Sequence, residues 1–200
     1  MKHHLFRIVT ALILILGIVI GTILVVTRTG TTNTGGLQVV AAENFWGDIA
    51  KQIGGDTVKV SSIVSDPTAD PHLYESNARN AAIVTNADVV IQNGLGYDDF
   101  MTKLLDTTKR TDRTVLVVSD ILGVKGADTN PHLWYDIANI GTVATAIEKS
   151  YIQQDPSNAS AYRQNTATFV ASLKPLLATI ERIKSDYAGT AVLYTEPVPG

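Results

Sequence analysis

The chain has 200 residues and no cysteine. Disulfides, thiolate zinc sites, thiol nucleophiles and a lipid-modified N-terminal cysteine are therefore excluded for this sequence. Histidine is scarce, with four in all, and His3 and His4 stand ahead of a long uncharged run. Only His72 and His132 remain for the rest of the chain. An excess of basic residues is missing too. Lys2, Arg7 and Arg28 are the only charged groups among the first 28 residues, which leaves 13 basic and 19 acidic residues beyond them, a formal charge of −6. That balance gives no support to a nucleic-acid partner. The small basic cluster Lys109, Arg110, Arg113 reads as a solvated loop. No HExxH is present, and neither His72 nor His132 has an obvious general base beside it, so the chain is not expected to be an enzyme.

The two remaining histidines share one context. Asp70-Pro71-His72-Leu73-Tyr74-Glu75 recurs in altered form as Asn130-Pro131-His132-Leu133-Trp134-Tyr135-Asp136. Each proline fixes its own φ and holds the preceding residue extended, so each imidazole is presented from a stiff loop. A neutral imidazole held this way suits a transition metal, with its other ring nitrogen oriented by a nearby acceptor. Asp70 and Asp136 are expected as loop caps or acceptors behind the ligands, and Tyr74, Tyr97 and Trp134 as packing around the site.

Residues 8–26 carry no charge, and their 19 residues come close to the ~20 needed to cross a hydrocarbon core as helix. Basic Lys2 and Arg7 before the run favour a cytoplasmic N-terminus. The expectation is an uncleaved anchor, with a cleaved signal peptide as the alternative and the rest of the chain extracytoplasmic in either case. Thr- and Gly-rich residues 29–36 read as a spacer.

Beyond the spacer, short β-rich runs alternate with helical patterns. Strands are expected at 37–42, 57–64, 88–92 and 114–119, and helices at 45–53, 77–85, 98–106 and 137–153. This alternation predicts an α/β fold, a parallel sheet with helices on both faces. Ligands gather at the carboxyl ends of strands in such sheets, and both histidine loops follow strands. Asp155-Pro156 fits the start of a further helix, with no glycine until Gly189. Residues 156–188 are expected to form one long helix, kinked or short of one hydrogen bond at Pro175. A strand at 190–194 is expected to follow.

From residue 37 to Gly200 the chain resembles the metal-specific substrate-binding proteins of ABC transporters, the zinc/manganese solute-binding family, over their N-terminal two-thirds. The resemblance rests on ADPHLYE (69–75), NADVVIQNGLGYDDF (86–100), NPHLWYD (130–136) and YTEPVPG (194–200), in matching order and spacing. It implies two α/β lobes joined by one long helix with a divalent metal, Zn²⁺ or Mn²⁺, between them. It also implies His72, His132 and Glu196 as metal ligands, with a fourth ligand beyond Gly200. On this reading residues 1–28 are an anchor or signal segment, 29–36 a linker and 37–154 an N-terminal metal-binding lobe. Residues 155–188 are then the inter-lobe helix, and 189–200 the first strand of a C-lobe largely absent from this chain. The implied partners are the transported metal and an ABC permease in the membrane, with the protein a monomer. A metal-dependent adhesin-like surface protein, a metal-dependent hydrolase and a fragment with impaired binding stand as alternatives. A Glu in place of a third His tilts the site towards Mn²⁺, whereas the general affinity order favours Zn²⁺.

Overall fold

The computed structural model describes residues 36–66, 68–126, 129–194 and 198. The expected membrane segment 8–26, the spacer up to residue 35 and Glu196 lie outside the described residues. Among those described, no helix is long and apolar enough to cross a membrane.

Four strands, β1 (Leu37–Glu43), β2 (Val58–Val64), β3 (Val89–Gln92) and β4 (Thr114–Val117), form one wholly parallel sheet in the order β2-β1-β3-β4. The pleat sends alternate residues of β1 to opposite faces. Val39 and Ala41 join Val89 and Ile91 in a core closed by Trp46, Ile53, Ile147, Tyr151 and Phe169. Val40 and Ala42 join Val90 in a second core with Val84, Phe100, Met101 and Leu104. Helices α1 (Asn44–Gly54), α5 (Ile137–Gln154) and α6 (Ala159–Asp186) cover the first face. Helices α2 (Ala78–Thr85) and α3 (Asp99–Thr107) cover the second. Burial on both faces explains why the central strands β1 and β3 read as near-continuous apolar runs, every fully buried Ile or Val contributing about 1.5–3 kcal/mol, whereas edge strand β2 carries exposed Lys59 and Ser61.

The fourth strand is shorter than its sequence suggests. It stops at Val117, and α4 (Val118–Leu122) follows at once. Ser119 N–H donates to Asn93 O rather than continuing the ladder, and Gly123 closes the turn at φ +69°. Arg110 and Arg113 also depart from the solvated-loop reading. Arg110 donates to Asp88 and Asp112 and to the carbonyl of Ala87, and Arg113 reaches the same carbonyl. Asp88 in turn accepts from Gln38 N–H, so the arginines clamp the amino-terminal edge of the sheet.

The long helix begins with a 3₁₀ turn at Pro156–Asn158 and continues as α6 for 28 residues, about 42 Å at 1.5 Å each. Asp155 makes no side-chain bond to a helix N–H. Its carboxylate gathers Ser157 Oγ, Asn158 Nδ2 and Tyr162 OH instead. Burial alone would raise its pKa, but these donors outweigh it and hold the group below the usual range. Pro175 lies inside the unbroken helix. The first half of α6 buries Tyr162, Thr166 and Phe169, whereas Leu176 and Ile183 further along are exposed. The strand expected at 190–194 does not form. Val192, Leu193 and Tyr194 are exposed and no described strand pairs with them, and a β-prone segment without a partner has no ladder to join.

Candidate metal centre

The connection from β1 runs to β2 on one side of it, and the connection from β3 runs to β4 on the other. The crevice at the carboxyl ends of β1 and β3 is therefore the topological switch point, where open α/β sheets hold ligands. Both histidine loops lie at this edge, and the same local device builds each. Asp70 Oδ1 accepts from His72 N–H at 2.9 Å, and Asn130 Oδ1 accepts from His132 N–H at 3.0 Å. Asp70 thus caps the Pro71–Leu73 turn, as its place before the proline suggests. Asp136 accepts from Asn139 Nδ2 at the start of α5.

Asn130 does more than Asp70. Its Oδ1 also lies 2.6 Å from His132 Nδ1, which assigns the ring proton to Nδ1 and makes Nε2 the basic nitrogen of the ring. The leucines differ as well. Leu133 is buried in the first core, whereas Leu73 is 78% exposed. The second loop is pinned through its leucine, and the first through Tyr74, which packs edge-on against Phe100 and bonds Asn80.

One ring joins the two histidines. Tyr97 meets His72 edge-on at 4.7 Å between centroids and His132 at 5.6 Å. Trp134 lies 5.0 Å from Tyr97 and 5.2 Å from His132, and stacks on Phe45 at 4.1 Å. The structure thus sets both imidazoles against a shared aromatic floor.

The turn that presents Tyr97 is strained. Gly94, Leu95 and Gly96 all have positive φ, and a Cβ on Gly94 would fall 2.3 Å from Ser119 Oγ. Leucine in the left-handed region costs about 1–2 kcal/mol. Asp98 offsets that strain by accepting from Asn93 N–H at 2.6 Å and Gly94 N–H at 2.9 Å. Burial raises the pKa of Asp98, and the two backbone donors oppose the rise. Asn93 accepts from Trp46 Nε1 at 3.2 Å and donates to Pro131 O at 2.8 Å, linking α1, β3 and the second histidine loop.

Asn93, Asp98 and Glu43 escape sequence reading. The available signal was a single acid or amide at the carboxyl end of an apolar strand, which is where Glu43 and Asn93 stand. Glu43 is 1% exposed, and neither carboxylate oxygen has a hydrogen-bond partner among the described residues. Burial, reinforced by Asp98, pushes its pKa up to about 9. Its own backbone N–H favours the ionised form slightly, without the geometry of a hydrogen bond.

Among the described residues no three His, Asp or Glu side chains cluster closely enough to hold a metal. His72 and His132 share Tyr97, and Glu196 is outside the described set. Asn130 Nδ2 lies 3.4 Å from the carbonyl of Val198, two positions after it.

Residues 39–200 match the family described as ZnuA, zinc-uptake complex component A, periplasmic. The iron ABC transporter substrate-binding lipoprotein MtsA of Streptococcus pyogenes serotype M1 is 32% identical over 179 residues, covering 82% of this chain and 57% of that protein. The manganese-binding lipoprotein MntA of Halalkalibacterium halodurans is 32% identical over 154 residues, 74% of this chain and 50% of that protein. The chain thus spans about half the length of these curated relatives. Its fold is that of the periplasmic zinc binding protein TroA from Treponema pallidum, with a TM-score of 0.66 at 24% identity over 76% of this chain and 56% of that one.

Proposed function

Because this chain belongs to the zinc-uptake complex component A family, we propose that it captures a divalent metal outside the cytoplasm and hands it to an ABC permease in the membrane. The observation that carries this reading is the packing of His72 and His132 against one ring, Tyr97, at the switch-point edge of the sheet. The metal is transported cargo, and the reading is one of binding rather than turnover. His132 contributes Nε2, since Nδ1 is committed to Asn130. His72 is the second ligand. Glu196 is the third, in keeping with the short distance from Val198 to the Asn130 loop.

Two imidazoles and one carboxylate suit Zn²⁺ with water in the fourth position, and the carboxylate hardens the set towards Mn²⁺. The relatives named above are described as binding or transporting iron and manganese, so Fe²⁺ belongs in any competition experiment. Residues 37–154 form the metal-binding lobe on this reading, and 155–188 the helix that links it to a second lobe beginning at 189–200. Residues 8–26, an uncharged run, serve as the tether on this reading. Titration of the protein with Zn²⁺, Mn²⁺ and Fe²⁺ tests the proposal. Saturable binding at one site per chain supports it, and no binding of any of the three contradicts it.

A further inference from the structure

Glu43 is a charged residue type placed where a charge cannot easily persist. It ends β1 at the switch-point crevice, level with Val64 on β2, and β3 ends beside it. It occupies the N-cap position of α1 but makes no capping bond, so it does not take the role its place offers. Both its oxygens are buried and unpartnered among the described residues. Removal of a carboxylate from water without donors is costly enough that the group neutralises instead.

After burial itself, the group that raises its pKa is Asp98, from the turn before α3, which is also buried. On α1, Asp48 and Lys51 are exposed, Lys59 of β2 is exposed, and β3 has no charged residue. Asp98 follows Tyr97, whose ring touches both imidazoles, and Phe45 packs on Tyr97 and Trp134 two residues after Glu43. Glu43 is thus tied to the histidine site through two neighbours, Phe45, which packs on Tyr97, and Asp98, the residue after Tyr97, which acts on its carboxyl group.

We propose that Glu43 holds a proton in the metal-free protein and releases it to solvent when a divalent cation occupies the His72–His132 site, so that metal capture and proton release are coupled. The O–H bond of the carboxylic acid breaks heterolytically, the proton passes to buffer, and the carboxylate left behind balances part of the incoming charge. Reciprocity requires that acid weakens binding and that a rise in pH strengthens it. This inference rests on the metal-binding reading given above.

Calorimetric titration of the protein with Zn²⁺ or Mn²⁺, in buffers of different ionisation enthalpy at pH 8, counts the protons released. An ordinary imidazole, with a pKa of about 6.5, has little proton left to give at that pH. Wild type should release about 0.5–1 proton more than Glu43→Gln. Equal release from the two proteins overturns the inference while leaving metal binding intact, whereas absence of binding by wild type overturns both. Infrared difference spectra of wild type provide a test that does not depend on the variant folding. Loss of a protonated-carboxyl band on metal addition supports the proposal, and an unchanged band contradicts it.

Discussion

The side-chain amide of Asn93 donates to the carbonyl of Pro131 at 2.8 Å, so the end of β3 holds the residue immediately before His132. The same side chain accepts from the indole of fully buried Trp46. Asn93→Ala breaks both bonds and leaves the buried indole N–H unpartnered. The expected loss is about 2–4 kcal/mol, since an unsatisfied buried group costs about 1–3 kcal/mol beyond the bond itself. Urea denaturation of the two proteins measures it.

The two Pro-His-Leu copies should respond differently to one substitution. Leu133 is 7% exposed and Leu73 78%. Leu133→Ala should cost about 2–4 kcal/mol by opening the first core. Leu73→Ala should stay within about 0.5 kcal/mol of wild type. A comparison of their thermal midpoints checks the asymmetry.

Much of this asymmetry was hidden in the sequence, although the repeat itself was plain. Strand and helix positions were legible because β1, β3 and β4 are short apolar or β-branched runs, β2 is rich in valine and isoleucine, and each long helix carries its own period. The strand expected at 37–42 is β1, Leu37–Glu43, and the helix expected at 137–153 is α5, Ile137–Gln154. The parallel sheet with both faces covered followed from the same alternation. What failed depended on partners distant in the chain. Residues 190–194 have the composition of a strand but no described neighbour to pair with. Arg110 and Arg113 look like a solvated cluster until Asp88 and the Ala87 carbonyl are brought beside them. Glu43 reads as a link between a strand and a helix, and only the folded arrangement buries it. Tyr97 was legible as packing near the site, but not as the ring shared by both histidines.

Glu43 also sets a pH dependence of stability. Its pKa rises from an ordinary 4.5 to about 9 on folding, so the folded state binds more protons than the unfolded state between those values. Its stabilising contribution is complete below about 4.5 and is lost as pH rises through 9, with a slope of at most about 1.4 kcal/mol per pH unit. Asp98, also raised by burial, adds in the same direction. Metal-free wild type should therefore lose stability from pH 6 to 9, and Glu43→Gln should show a flatter profile in denaturant titrations.

Pro175 interrupts the hydrogen-bond ladder of α6 on an exposed face. Pro175→Ala restores a donor and removes a steric clash that costs about 3 kcal/mol in a helix interior. The variant should gain about 1–3 kcal/mol and some far-UV helical signal. A loss of stability would mean that the proline ring makes packing contacts worth more than the restored hydrogen bond.

The most direct test of the account is calorimetric titration of wild type, His72→Ala and His132→Ala with Zn²⁺ and Mn²⁺. Each single substitution removes one of two imidazoles set against Tyr97. It should weaken binding by about a hundredfold or more and abolish most of the metal-induced rise in melting temperature, because stabilisation follows from affinity for the folded state. Wild-type affinity in either histidine variant would contradict the assignment of His72 and His132 as the metal-holding pair.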